Sequence, residues 1–309
     1  MSPIHWKGNS IPPLIVGTAQ LGMDYGIANR DGQSDSKTAN SIVRQAIQSG
    51  YTWFDTAQAY GTAETVLGTA IRAAAGETDP SIITKLAPQL NPRESEAIYS
   101  AIQESLHRLG TPSIWGLMLH RSAWIRDWNH GLGNALTRAK NEGLIQHIGV
   151  SIYTADELQE VIDAGHFDII QLPFNAWDPE FLNHGLLATA QSEGICCLAR
   201  SVYLQGLLML APNTIAKRLP AAYDAAIAWE TLCATYCLTP VQLAMGYVRH
   251  FQLPLVVGVE TVAQLQDNMA LMATPKLHPE IIQHIQSVMH PLAKKDFVSP
   301  PHWQVKSGL

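Results

Sequence analysis

At 309 residues, with 47% hydrophobic and only 15% charged side chains, the chain has apolar material for a large core, which excludes a disordered polymer. Its formal charge of −6, with 20 Lys and Arg and no run of them, leaves no electrostatic footprint for nucleic acid or an anionic lipid surface. No apolar segment reaches the ~18 residues of a spanning helix, so neither a nucleic acid nor a membrane is expected as partner.

Residues 1–7 lack the apolar stretch of a secretory leader, and a cytoplasmic location is expected. The turn cluster Lys7-Gly8-Asn9-Ser10 predicts a short N-terminal hairpin. Apolar runs of strand type then occupy 14–19, 52–56, 81–86, 114–120, 147–152, 168–174, 195–200 and 255–259, with mostly helical segments between them. Eight such alternations predict an α/β fold of the closed (β/α)8, or TIM-barrel, type, one domain over 1–309 with the hairpin across the barrel bottom. An open dinucleotide-binding sheet is disfavoured, because Gly17-Thr18-Ala19-Gln20-Leu21-Gly22 does not fit the G-x-G-x-x-G turn. Helices are expected over 36–49, 91–109 and 154–164, each followed by a glycine. Three connections, 20–35, 121–133 and 201–220, are long enough to carry function, and in a barrel they share the catalytic rim.

The four cysteines, Cys196, Cys197, Cys233 and Cys237, lie in apolar stretches and are expected to be buried thiols. Neither they nor the twelve histidines show metal-ligand spacing, and no metal is expected. No oligomeric state follows from the sequence.

Asp55, Lys85 and His120 terminate the second, third and fourth runs, and barrel closure brings those ends together. Tyr60, five residues beyond Asp55, folds back over the same mouth if its loop turns. A phenol with an unperturbed pKa of ~10 is a poor proton donor. An ammonium from Lys85 would stabilise the phenolate, Asp55 would hold that ammonium charged, and His120 would donate a hydrogen bond to a substrate oxygen. The set suits carbonyl reduction. Taken singly, each residue has a structural reading: Asp55 with Lys85 as an ion pair, His120 as a core histidine, Tyr60 as a rim aromatic.

The segments Phe54-Asp55-Thr56-Ala57-Gln58-Ala59-Tyr60-Gly61, Thr84-Lys85, Leu119-His120, Gly149-Val150-Ser151, Gln205-Gly206-Leu207-Leu208 and Gly258-Val259-Glu260-Thr261 resemble the aldo-keto reductases. The resemblance implies an oxidoreductase that moves a hydride between a nicotinamide cofactor and a small carbonyl or alcohol, with Asp55, Tyr60, Lys85 and His120 as its catalytic residues. It also implies cofactor contacts: Gly17, Thr18 and Asp55 along the nicotinamide ribose, Ser151 and Gln171 on the carboxamide, Gln264 beside the adenosine ribose, Asp267 and Asn268 on adenine. Ser201 and Gly258 belong to the same surface. Three positions depart from the family pattern. Arg200 stands where an aromatic commonly stacks on nicotinamide, and it would stack similarly or grip a substrate carboxylate. Ile152 replaces an Asn. Glu260 occupies a position that often meets a 2′-phosphate, which points to NADH; the usual preference of the family points to NADP(H), which is slightly favoured over NAD(H) if Lys217 or Arg218 supplies compensating charge. Tyr25, Trp124, Trp128 and Trp177 are the expected substrate wall, with the alternative that Trp124 and Trp128 pack a short helix onto the rim. Two competing functions remain: a Schiff-base aldolase using Lys85 as nucleophile, and a cofactor-binding, redox-sensing regulatory subunit.

Overall fold

The computed structural model describes residues 2–74, 79–182 and 185–303. Strands β1 (Ile4–Trp6) and β2 (Asn9–Ile11) form an antiparallel hairpin. Lys7 and Gly8 take φ of 44° and 80°, the two left-handed residues of a two-residue turn that matches strand twist. Eight parallel strands follow: β3 (Leu14–Gly17), β4 (Trp53–Asp55), β5 (Ser81–Lys85), β6 (Ile114–Leu119), β7 (Ile145–Ser151), β8 (Ile169–Pro173), β9 (Cys196–Arg200) and β10 (Leu255–Gly258). They close in chain order, with β10 pairing back onto β3 from Leu255↔Leu14 to Gly258↔Gly17. All eight expected runs are strands of one closed barrel.

Alternation along each strand sorts the core into two layers. Ile15, Ile83, Ile169, Leu198 and Val256 fill the barrel interior, while their neighbours Val16, Ile82, Ile170, Cys197 and Val257 pack outward against the helices. With both faces covered, strands need no polar residues except at their ends, and this is why the runs were nearly continuous. The hairpin covers the N-terminal end of the barrel. Trp6 donates its indole N–H to Gly194 O at 2.8 Å, Trp115 donates to Asn9 Oδ1 at 3.1 Å, Lys7 pairs with Asp168 at 2.9 Å, and Ile11 is fully buried beneath.

Two expectations need correcting. The helix expected from residue 91 begins at Ser95, because Asn91 turns on itself: its Oδ1 accepts from Arg93 N and its carbonyl from Glu94 N, so the chain after Pro92 is a turn. Cys237 is exposed, unlike the three buried cysteines, because it is the left-handed residue (φ 52°) that ends helix Tyr223–Tyr236. Among the described residues no helix is long and apolar enough to cross a membrane.

Arg249 positions the helix Val262–Ala273, which carries Gln264, Asp267 and Asn268. It is 2% exposed, and its guanidinium donates to the carbonyls of Leu271 (2.6 Å), Met272 (3.0 Å) and Thr274 (2.8 Å), capping that helix with a charge that its dipole favours. Replacing Arg249 with Met strands these carbonyls, and urea denaturation is expected to show a loss of about 3 kcal/mol; a loss under about 0.5 kcal/mol would contradict the capping role.

Candidate active site

The C-terminal ends of the strands open into a cleft of about 1110 Å³, counting the part exposed to solvent. Asp55 ends β4 and Lys85 ends β5, side by side on neighbouring strands. The ammonium of Lys85, 1% exposed, donates at 2.8 Å to each carboxylate oxygen of Asp55 and at 2.9 Å to Thr56 O. All three of its donors are therefore engaged. Behind it, Thr84 donates to Glu64 Oε1 at 2.6 Å, and Arg108 Nε donates to Glu64 Oε2 at 2.7 Å, tying the end of β5 to the surrounding helices. Gln171, on β8, donates to Asp55 Oδ1 at 2.7 Å, so the carboxylate is fixed from both sides.

Tyr60 reaches this pair because two loops touch through glycine. A Cβ on Gly22 would stand 2.0 Å from Tyr60 O, and one on Gly61, at φ 55°, would stand 2.3 Å from Gly22 O. Only glycine permits that approach. It sets the Tyr60 ring with Lys85 Nζ 5.1 Å from its centroid and His120 edge-on at 5.9 Å and 89°. Among the described residues the Tyr60 hydroxyl has no hydrogen-bond partner, and neither does His120, whose Nδ1 is buried. Structure thus brings the four expected residues together and leaves the tyrosine and histidine tips uncommitted.

The charge states follow from burial. Desolvation, with Asp55 adding to it, pushes the Tyr60 phenol well above its ordinary value; Arg200 opposes this. The lowering expected from Lys85 is not what this arrangement produces: burial dominates, and Asp55, 2.8 Å from the ammonium, adds to it. The phenol is held in its acid form. Burial also pulls the Lys85 ammonium down, opposed by Asp55, and takes His120 to about 4, with Lys85 and Arg200 contributing. His120 is neutral at pH 7 and keeps one ring N–H to donate.

Gly17, Thr18, Asp55, Tyr60 and Gln171 line one stretch of the cleft, and Gly258, Glu260, Gln264, Asp267 and Asn268 line another, with Arg200 and Ser201 also on the wall. Ser151 sits beside Gln171 in the strand register but is buried and lies off that wall. Glu260 and Gln264 clasp each other, Glu260 N donating to Gln264 Oε1 at 2.7 Å. Lys217 and Arg218 do not face this cleft. They line a separate cavity with Asn29 and Arg30, and Arg218 donates to Ile27 O.

Of the expected substrate wall only Tyr25 is on the cleft, its ring 6.5 Å from that of Tyr60 and its phenol pushed up to about 12 by burial. Trp177 is fully buried against Trp229 and Phe297, an anchor of the core. Trp124 is buried in the outer core, and Trp128 stacks on His166 at 4.4 Å; both follow the alternative of rim packing. Sequence reading missed Tyr203, whose hydroxyl donates to Asn268 Oδ1 at 2.7 Å from the cleft wall. It also missed the strain of its loop, where Ser201, Leu204 and Gln205 have φ of 59°, 47° and 53°. Non-glycine residues in that region cost about 1–3 kcal/mol each and gather at functional sites. The long connection 201–220 was the available signal.

Does the cleft fit a nicotinamide dinucleotide? Gln171 Oε1 and Gln20 Oε1 are buried acceptors without partners, both on residues of the wall, and each would accept from an amide N–H. A Cβ on Gly258 would stand 2.6 Å from Gln20 Oε1, so a side chain there would displace the Gln20 amide. The donor and acceptor set fits such a ligand.

The model of the Aldo/keto reductase family matches residues 13–290. An uncharacterized oxidoreductase of Schizosaccharomyces pombe is 32% identical over 186 residues, covering 55% of this chain and 60% of that one. An Escherichia coli protein named NADH-specific methylglyoxal reductase is 24% identical over 282 residues, covering 78% and 84%. The first three curated relatives are matched over 51% to 60% of their own length. A holo aldo-keto reductase structure from Bacillus halodurans superposes with a TM-score of 0.75 at 22% identity, covering 98% of this chain and 100% of that one.

Proposed function

The chain belongs to the aldo/keto reductase family, and we propose that it transfers a hydride between a nicotinamide dinucleotide and a small carbonyl or alcohol, with Tyr60 as the acid in reduction. The observation that carries this reading is the uncommitted Tyr60 hydroxyl beside neutral His120, backed by a Lys85–Asp55 pair that is itself fully engaged. When bound, the dinucleotide supplies the hydride. Tyr60 donates its proton to the carbonyl oxygen, and His120 donates a hydrogen bond to that oxygen as negative charge gathers on it. Lys85 acts through its charge, since it has no donor left for the phenol. Asp55 and Gln171 keep that charge in place.

The same geometry weighs against an aldolase. A Schiff-base lysine must be neutral and free to attack, whereas Lys85 bonds Asp55 through both oxygens and spends its third donor on Thr56 O. Loss of NADH absorbance with a reactive aldehyde such as a nitrobenzaldehyde is the expected result. Unchanged absorbance across a broad panel of aldehydes and ketones would sink the proposal and leave the redox-sensing alternative.

For cofactor choice the reading shifts from NADPH to NADH. The end of the cleft that holds Gln264 and Asn268 also holds Glu260 and Asp267, and among the described lining residues the one cation is Arg200. Lys217 and Arg218, which were to neutralise a 2′-phosphate, face another cavity. The E. coli relative named NADH-specific is in keeping with this. Fluorescence titration should give NADH an affinity about tenfold or more above that of NADPH, and Glu260→Ser should narrow the gap. Equal affinities in the unaltered protein would contradict it.

Reduction should be nearly independent of pH from about 5 to 9, because Tyr60 stays protonated through that range and His120 protonates only near 4. A kcat profile with a step near 6.5 would mean that His120 titrates as an ordinary imidazole.

A further inference from the structure

Among the described residues Arg200 is a cation without a counterion. It ends β9, and its side chain lies on the cleft wall together with Tyr25 and Tyr60. Its guanidinium donates to Ser201 Oγ at 3.3 Å and to Ile152 O at 3.1 Å, which occupies two of five N–H donors. No described carboxylate lies within ion-pair distance. Arg93, Arg108, Arg126 and Arg138 have one; Arg30, Arg44, Arg72 and Arg121, which also lack one among the described residues, are exposed to solvent, Arg218 donates to Ile27 O, and buried Arg249 donates to carbonyls through its two terminal nitrogens. The guanidinium lies over the Tyr153 ring, 4.3 Å from its centroid, and the residue lines the cleft with N–H donors unspent.

The surplus is positional as well as chemical. Asp55 and Lys85 cancel each other and His120 is neutral, so this end of the cleft carries one net positive charge. Its field reaches the reacting groups: Arg200 lowers the phenols of Tyr25 and Tyr60 and opposes the charging of Lys85 and His120. A partly desolvated guanidinium left without a counterion is costly, and a carboxylate or phosphate that meets its free N–H donors relieves that cost with two hydrogen bonds. Methylglyoxal-type or simple aliphatic aldehydes would leave it unrelieved.

We propose that Arg200 binds an anionic group of the substrate, so that this enzyme reduces carbonyl compounds bearing a carboxylate or phosphate. The proposal rests on the reductase reading and adds the substrate class to it. Tyr25, whose hydroxyl has no partner among the described residues, lies on the same wall and offers a further donor to that group.

The test is kcat/KM for matched pairs, succinic semialdehyde against butanal and glyceraldehyde 3-phosphate against glyceraldehyde, in the unaltered protein and in Arg200→Met and Arg200→Lys. The anionic member of at least one pair should be preferred by about tenfold or more, and Arg200→Met should reduce that ratio about ten- to a hundredfold, mainly through KM, with partial recovery in Arg200→Lys. Which pair responds distinguishes a carboxylate from a phosphate. Preference for both neutral members, an unchanged ratio in Arg200→Met, or a ratio that holds while NADH affinity falls would overturn the proposal, the last by assigning Arg200 to the dinucleotide. A thermal-shift titration with succinate and with inorganic phosphate in the presence of NADH reads the site without turnover. Stabilisation by either anion that Arg200→Met abolishes supports the assignment even if no aldehyde is reduced; absence of any shift in the unaltered protein overturns it.

Discussion

Replacing Tyr60 with Phe is expected to lower kcat by at least about 10²- to 10⁴-fold while dinucleotide affinity stays within about a factor of two. Among the described residues the Tyr60 hydroxyl has no hydrogen-bond partner, whereas the residue's ring and backbone are held. Its ring keeps the edge contact with His120 and the position above Lys85, and its backbone stays in the Gly22–Gly61 contact. Phe therefore removes the proton donor and little else. Steady-state rates and fluorescence titration on the same preparation separate the two effects. A variant that lost binding and turnover in equal measure would show that the hydroxyl serves the dinucleotide.

Asp55→Asn is expected to cost about 3–5 kcal/mol of folding stability, the largest loss available from one substitution at this site. Lys85 is 1% exposed, and the variant leaves its ammonium with Thr56 O and an amide in place of a carboxylate. Breaking a buried pair on one side is worse than removing both charges. The double variant Asp55→Asn, Lys85→Met should accordingly be more stable than Asp55→Asn alone, and chemical denaturation of the parent, Asp55→Asn, Lys85→Met and the double variant gives the coupling. The pH dependence has a definite sign. Burial already depresses the Lys85 pKa, with Asp55 opposing; without Asp55 it falls further below the ~10.4 of the unfolded chain. Between those two values the unfolded chain binds a proton that the folded one does not, so Asp55→Asn should gain stability as pH rises through that window. A variant as stable as the parent, or one that weakens toward high pH, would refute the pairing.

The barrel was legible because its strands are covered on both faces. That demand for apolar residues is local and continuous, and a polar side chain at a strand end stands out against it, as Asp55, Lys85 and His120 do. What escaped the sequence are partnerships between distant segments. Trp177 sits in a loop after a strand, where a substrate wall is a fair expectation, yet its neighbours Trp229 and Phe297 come from the C-terminal third and draw it into the core. Trp128 finds His166, and Tyr203 finds Asn268 65 residues away. Arg200 is the converse. Its position in the chain marked it as unusual, but the role proposed for it rests on the absence of a neighbouring carboxylate among the described residues, and that is a property of the assembled cleft. The cofactor reading changed for a similar reason: Lys217 and Arg218 are close in sequence to the rim but turn toward Ile27 and Arg30.

The central claim is that this cleft passes a hydride to a carbonyl carbon while Tyr60 supplies the proton. Incubating the protein with NADH deuterated at both C4 positions and a reactive aldehyde, then analysing the product by mass spectrometry, tests it most directly. The account predicts an alcohol with one deuterium on the former carbonyl carbon, formed by the unaltered protein and nearly absent with Tyr60→Phe. Unreacted aldehyde, or an adduct on Lys85 trapped by borohydride, would contradict it.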